Sequence, residues 1–262
     1  MKMKPGINLS KRHLKKGRRF ISWRTVLLTF FSILLMIEIV SAPLEWLWPV
    51  SWGGNTCWRG NTDAMEIALT FDDGPSRYTA AVLDILKENE APATFFIMGK
   101  QAERFPEVVK RIAAEGHEIG NHTYSFAAQK NKFFSQIDRS EITKTQEIIQ
   151  KLVDMTPIYF RSPGGQFGRY LWQDIRKHNL RVINGALPIP HPGKDAETQL
   201  AVIKSTLKPG AIIILHDGDD GAPDSNRPAS TVALLPELFD ELSHRGFSVV
   251  PLKQLLKDQL LQ

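Results

Sequence analysis

Cysteine is almost absent: 262 residues contain one, Cys57. No disulfide can form within the chain, and a cysteine-rich zinc site is excluded. Internal repeats and low-complexity segments are also missing, which removes solenoids and repeat arrays from consideration. The first 24 residues lack Asp and Glu entirely while holding nine Lys and Arg. That local absence accounts for the formal charge of +5, because the remaining chain has 24 basic residues against 28 acidic ones, a net of −4. A protein that binds a phosphate backbone keeps its positive charge on the folded surface, so no nucleic-acid partner is expected. Hydrophobic residues make up 42%, enough for a sizeable core.

Residues 1–24 read as a basic cytoplasmic tail. The 18 residues from Thr25 to Ala42 are apolar except for Ser, Thr and Glu38, a length at the short end of what crosses a bilayer. Trp46, Trp48 and Trp52 follow, as at a membrane interface, and the positive flank orients the rest of the chain outward. A cleaved signal peptide has the same order of charge and hydrophobicity. Val40-Ser41-Ala42 resembles a cleavage site, but Pro43 opposes cleavage, so 25–42 is read as a retained signal-anchor. The expected location is the cytoplasmic membrane, single-pass, with the folded domain outside. Residues 43–62, rich in Trp, Pro, Gly and Asn, read as a linker, and 63–258 as one domain.

Within that domain short apolar runs alternate with amphipathic stretches. Strands are expected at 65–71, 93–98, 117–120, 158–160, 181–183, 211–215 and 247–251. Helices are expected at 78–89, 106–115, 135–152, 170–178, 197–207 and 231–244. Such alternation gives an α/β fold with a parallel sheet, and seven strands in this length suit a distorted (β/α) barrel. Phe95-Phe96 and Phe133-Phe134 read as core, and Trp172 as helix packing.

In parallel α/β folds the chemistry gathers at the C-terminal ends of the strands. Four polar clusters stand there: Asp72-Asp73-Gly74-Pro75, Asn121-His122-Thr123, Arg161-Ser162-Pro163-Gly164-Gly165 and His216-Asp217-Gly218. Adjacent carboxylates require a cation nearby. One can bind a metal while the other acts as a base. His122 offers a nitrogen suited to Zn²⁺ or a similar ion. Arg161 can hold a carboxylate by a bidentate pair, and His216 can protonate a leaving group. Together they describe a metal-assisted hydrolase.

The ordered set Thr70-Phe71-Asp72-Asp73-Gly74-Pro75, Gly120-Asn121-His122-Thr123, Arg161-Ser162-Pro163-Gly164-Gly165 and Ile214-Leu215-His216-Asp217 resembles the polysaccharide deacetylases, carbohydrate esterase family four. The resemblance covers roughly 63–258. It implies hydrolysis of N-acetyl groups on an amino-sugar glycan with a divalent metal, Zn being the expectation. It implies that Asp72 is the general base, that Asp73 and His122 bind the metal, that Arg161 orients Asp72 and that His216 is the general acid. Leu215 would line the acetate pocket, with Pro163 and Gly164 on the substrate groove.

The chain departs from the family at three places. The second motif of the family has a histidine four residues after His122, and here that position is Phe126. Phenylalanine cannot coordinate a metal. His191 is a candidate replacement ligand, although a loop histidine between prolines is the plainer reading. The fourth motif, which orients the catalytic histidine, is replaced by Asn184-Gly185-Ala186-Leu187-Pro188-Ile189-Pro190, leaving Asp195 and Asp217 as candidate partners for His216. Gly164 stands where the family commonly has an aromatic residue. Two functions follow: a membrane-anchored deacetylase acting on peptidoglycan, a chitin-like oligomer or an exopolysaccharide, with sugar-ester cleavage as a variant; or an inactive glycan-binding pseudoenzyme of the same fold.

Overall fold

The computed structural model describes residues 56–60, 62–125, 140–165, 171–185, 195–218 and 226–257, together with Trp23 and Ser32. The chain divides into two compact units, Met1–Trp52 and Gly53–Gln262. In the first, Trp23 and Ser32 are helical. The expected span 25–42 lies outside the described residues, Ser32 excepted. Among the described residues no helix is long and apolar enough to cross a membrane.

The second unit alternates strand and helix: β1 (Thr56–Cys57), β2 (Glu66–Asp72), α1 (Thr79–Glu88), β3 (Thr94–Ile97), α2 (Gly99–Arg104), α3 (Pro106–Ala114), β4 (Glu118–Asn121), α4 (Ser140–Val153), β5 (Tyr159–Phe160), α5 (Leu171–Lys177), β6 (Arg181–Ile183), α6 (Ala196–Thr206), β7 (Ile212–His216), α7 (Arg227–His244), β8 (Ser248–Val249) and α8 (Leu252–Leu255). The strands run in the order β1-β6-β5-β4-β3-β2-β7, with β8 beside β2. Every named pair is parallel. The outer edges of this path approach each other: Arg59 and Ala211 form a single antiparallel bridge, and Gly60 N–H donates to Gly210 O at 2.8 Å. Gly210 has φ +76°, and a Cβ there would strike the Gly60 carbonyl, so glycine is what allows the edges to meet. The fold is the expected α/β arrangement of parallel strands, a half-barrel where a distorted (β/α) barrel was expected.

Alternation along the strands builds two apolar layers. Ile67, Leu69 and Phe71 of β2 and Ile213 and Leu215 of β7 join Leu83 and Leu235 of the helices in one cluster. Ala68 and Ile212, pointing the other way, join Phe96, Tyr159 and Ile183 in a second cluster inside the barrel. Burial of each Ile, Leu or Phe of this kind stabilises the fold by about 1.5–3 kcal/mol. Helix ends are set locally. Pro106 begins α3 in the first turn, where its missing N–H costs nothing. The Asp195 carboxylate accepts from Thr198 N at 2.8 Å and caps α6.

Two elements differ from the sequence expectation. Thr56–Cys57, inside the expected linker, is the edge strand β1, paired with Val182 and Ile183 of β6. The short helix α2 follows β3 directly, where a loop was expected. Phe95 and Phe96 are core, as expected, while Phe133-Phe134 and the Trp172 side chain lie outside the described residues.

Candidate active site

Asp72 ends β2 and His216 ends β7, and the two are direct partners in the register of that strand pair. His122 follows β4, and Arg161 follows β5. All four side chains are buried or nearly so on one rim, Arg161 at 3% and His122 at 2% exposure. This is the rim at the C-terminal ends of the strands, as the motif order implied.

Asp72 and Arg161 form the firmest contact there. Arg161 Nη1 donates to Asp72 Oδ1 at 2.7 Å and to Thr70 Oγ1 at 2.8 Å, and its Nε donates to the Ile183 carbonyl at 3.1 Å. The guanidinium also lies over the Phe96 ring, 4.1 Å from its centroid. Burial lowers the Arg161 pKa, and the Asp72 charge opposes that. Arg161 Nη2 has no hydrogen-bond partner among the described residues, leaving one buried donor for an incoming acceptor.

Asp73 sits beside it in a different setting. Its φ is +72°, a conformation that costs an L residue energy. Oδ1 lies 3.1 Å from His122 Nε2. Oδ2 lies 3.5 Å from Arg227 Nη1 and 3.9 Å from His216 Nε2. The Arg161 carbonyl can only accept, so the His122 Nδ1 facing it at 2.7 Å carries a proton. Burial works against a charge on His122, but Asp72 and Asp73 prevail and raise its pKa. Burial likewise pushes the Asp73 carboxyl up, and is outweighed by the His122 hydrogen bond and the charges of His216, His122 and Arg227, which hold it below the ordinary carboxylate range. At His216 burial wins over Asp73 and Asp72 and the imidazole is held below its ordinary value.

Several residues fall elsewhere than expected. Leu215 is turned from the rim into the layer between sheet and helices, because it alternates with His216 along β7. The residue on the face of His216 is Ile214, the register partner of Thr70, and its side chain fills the space that a Cβ on Gly185 would need. Pro163 is buried in a tight 3-10 turn after β5, and Gly164 is exposed with φ +62°. Asp195 is a helix cap. The Asp217 carboxylate accepts from Thr79 Oγ1 at 2.6 Å, and its backbone N–H donates to Asp72 O at 3.2 Å, so it braces the first motif. Burial pushes its carboxyl up to about 7. Neither carboxylate is a hydrogen-bond partner of His216. Phe126, His191 and 186–190 lie outside the described residues.

A parallel half-barrel with a buried carboxylate–arginine pair, a second carboxylate and two histidines on its rim defines a hydrolase-type site at a barrel mouth. Comparison with known proteins narrows the class. The polysaccharide deacetylase family model matches residues 59–183. A peptidoglycan-N-acetylglucosamine deacetylase of Bacillus cereus is 32% identical over 213 residues, 80% of this chain and 75% of that protein. A crystal structure of a peptidoglycan N-acetylglucosamine deacetylase superposes with a TM-score of 0.68 at 32% identity, covering 78% of this chain and 93% of the other. A family 4 acetyl xylan esterase from Clostridium thermocellum, solved with a cobalt ion, gives 0.62 at 32% identity, covering 72% and 89%. The chain belongs to the polysaccharide deacetylase family.

Deacetylases of this family depend on a divalent metal. The residues described here match that requirement poorly. They supply two donors facing each other, Asp73 and His122, and no group of three or more His, Cys, Asp or Glu that could hold an ion. Tightly held Zn²⁺ takes at least three protein ligands. The second oxygen of Asp73 faces a guanidinium at 3.5 Å and, farther off at 3.9 Å, His216 Nε2.

Proposed function

We propose that the chain is a membrane-anchored deacetylase that removes N-acetyl groups from an extracytoplasmic amino-sugar glycan, with peptidoglycan the first substrate to try. The observation that carries this reading is the buried Asp72–Arg161 pair in strand register with His216. A carboxylate held in place by a guanidinium can act as a base for water, and a histidine across the strand pair can serve the departing nitrogen. In the reaction Asp72 takes a proton from water as the water oxygen bonds to the acetyl carbon. The C–N bond then breaks, and the proton that Asp72 took from water is passed by way of His216 to the sugar nitrogen. The products are acetate and a free amine. Ile214 and Thr70 lie one strand step below Asp72 and His216, which makes Ile214 the floor under the acetyl methyl group. Pro163 and Gly164 form the adjoining edge of the groove.

The test is acetate release by the full chain, in mild detergent, from peptidoglycan, chitin oligomers and acetylated xylan. Asp72→Asn and His216→Ala should each lower the rate about 10²–10⁴-fold. A folded wild-type protein that releases no acetate from any of them would end the enzymatic reading. The second reading, a glycan-binding pseudoenzyme, is favoured by Phe126 and by the guanidinium at Asp73. It would then be carried by glycan binding without turnover. Anchoring rests on the basic tail and apolar run of 1–42, and carbonate extraction of membranes should leave the chain in the pellet.

A further inference from the structure

The charges of the rim balance in pairs. Asp72 is matched by Arg161 at 2.7 Å, and Asp73 is matched by Arg227 at 3.5 Å. Of the three buried carboxyls here, Asp72 and Asp73 each face a guanidinium before any ion is added, and Asp217 is held by Thr79. A divalent cation shared by Asp73 and His122 would bring two further positive charges into a site about 3% exposed at Asp73, close to a cation that already occupies the second oxygen of its one anionic ligand. Among the described residues such a site offers two facing donors, Asp73 and His122, and a resident guanidinium beside them adds positive charge that opposes a second cation. Arg227 is not a wandering surface side chain. It opens the 18-residue helix α7 on the turn that follows Asn226, it is followed by Pro228 in the first turn, and its side chain is 15% exposed.

We propose that Arg227 is the resident cation of this site: its guanidinium stands in for the metal ion, and Asp73 is an ion-pair partner instead of a metal ligand. The site then needs no divalent ion to neutralise Asp73. A guanidinium is permanently charged, so this cation cannot be removed by a chelator. The inference goes beyond the deacetylase reading and is independent of it, because it concerns what the site binds and not whether it turns a substrate over.

The experiment is metal analysis and Zn²⁺ and Co²⁺ calorimetry on the full chain in detergent, beside Arg227→Gln, Arg227→Lys and Asp73→Asn. The wild type should carry substoichiometric metal as isolated and should bind Zn²⁺ no better than Asp73→Asn. Arg227→Gln removes the competing charge and should raise Zn²⁺ affinity about 10–100-fold, and Arg227→Lys should stay at the wild-type level. Stoichiometric Zn²⁺ on the wild type, lost in Asp73→Asn, would overturn the proposal. So would a wild type that does not bind and an Arg227→Gln variant that gains nothing, since Arg227 would then not be the reason. If Arg227→Gln does not fold, Arg227→Met makes the same comparison with the wild type and Asp73→Asn. Acetate release is measured separately, so loss of the deacetylase reading leaves these outcomes intact.

Discussion

Asp72 and Asp73 are neighbours in sequence, yet the protein treats them as two different problems. Asp72 lies on the last residue of a strand, and its cation comes from the end of another strand, held by a hydroxyl, a backbone carbonyl and an aromatic face. Asp73 lies one residue beyond the strand at positive φ, and its cation comes from the first residue of a helix across a longer gap. The half of the rim built by strands is fixed by the sheet itself. The half built by a turn and a helix start depends on local packing.

The widest separation between the halves should appear on removing the cations. Arg161→Met leaves Asp72 buried and unpaired, and the loss of one partner of such a pair costs about 3–5 kcal/mol. Arg227→Gln breaks a longer contact of 3.5 Å and leaves Asp73 its partner His122 at 3.1 Å, so it should cost about 1 kcal/mol. Urea denaturation of both variants measures the difference; equal losses would erase the distinction between the halves. Gly218→Ala tests the Asp73 side by a steric route. A Cβ there meets the backbone carbonyl of Asp73, which cannot move aside as a side-chain tip would. The expected cost, about 1–3 kcal/mol, lies between the two cation variants. A neutral Gly218→Ala would mean the Asp73 turn is looser than its contacts imply.

Much of this rim was legible because strand ends are marked by abrupt changes from apolar to polar residues. Asp72, His122, Arg161 and His216 each follow such a run, and the sheet brings them together as parallel strands require. The side-chain direction along β7 is legible too: counting back by two from His216 gives Ile214 on the site face, where the resemblance implied Leu215. Arg227 gave no signal. It reaches Asp73 from a helix start on the far side of a loop, and no spacing rule connects the two. β1 was hidden for another reason: two residues cannot display alternation, and they become a strand through pairing with β6.

The smallest effect lies away from the rim and supplies the control for all of these. His117 is buried at 6% exposure, and its Nδ1 accepts from Ala93 N at 3.2 Å, so that nitrogen must be unprotonated. Burial lowers its pKa, against the pull of Glu115 and with help from Arg111. The unfolded chain therefore takes up a proton at His117 at higher pH than the folded chain does. This contribution to stability is complete above the unfolded value of about 6.5 and is lost as pH falls from there toward the folded value. His117→Asn keeps an acceptor for Ala93 and cannot titrate. Between pH 7 and 5 the urea midpoint of the wild type should therefore fall more steeply than that of His117→Asn. Because His117 lies at the start of β4 and not on the rim, Arg161→Met should leave this difference in slope unchanged. Parallel slopes in wild type and His117→Asn would remove His117 from the acid response. A slope difference that vanished in Arg161→Met would instead mean that the rim and the opposite end of the sheet do not behave independently.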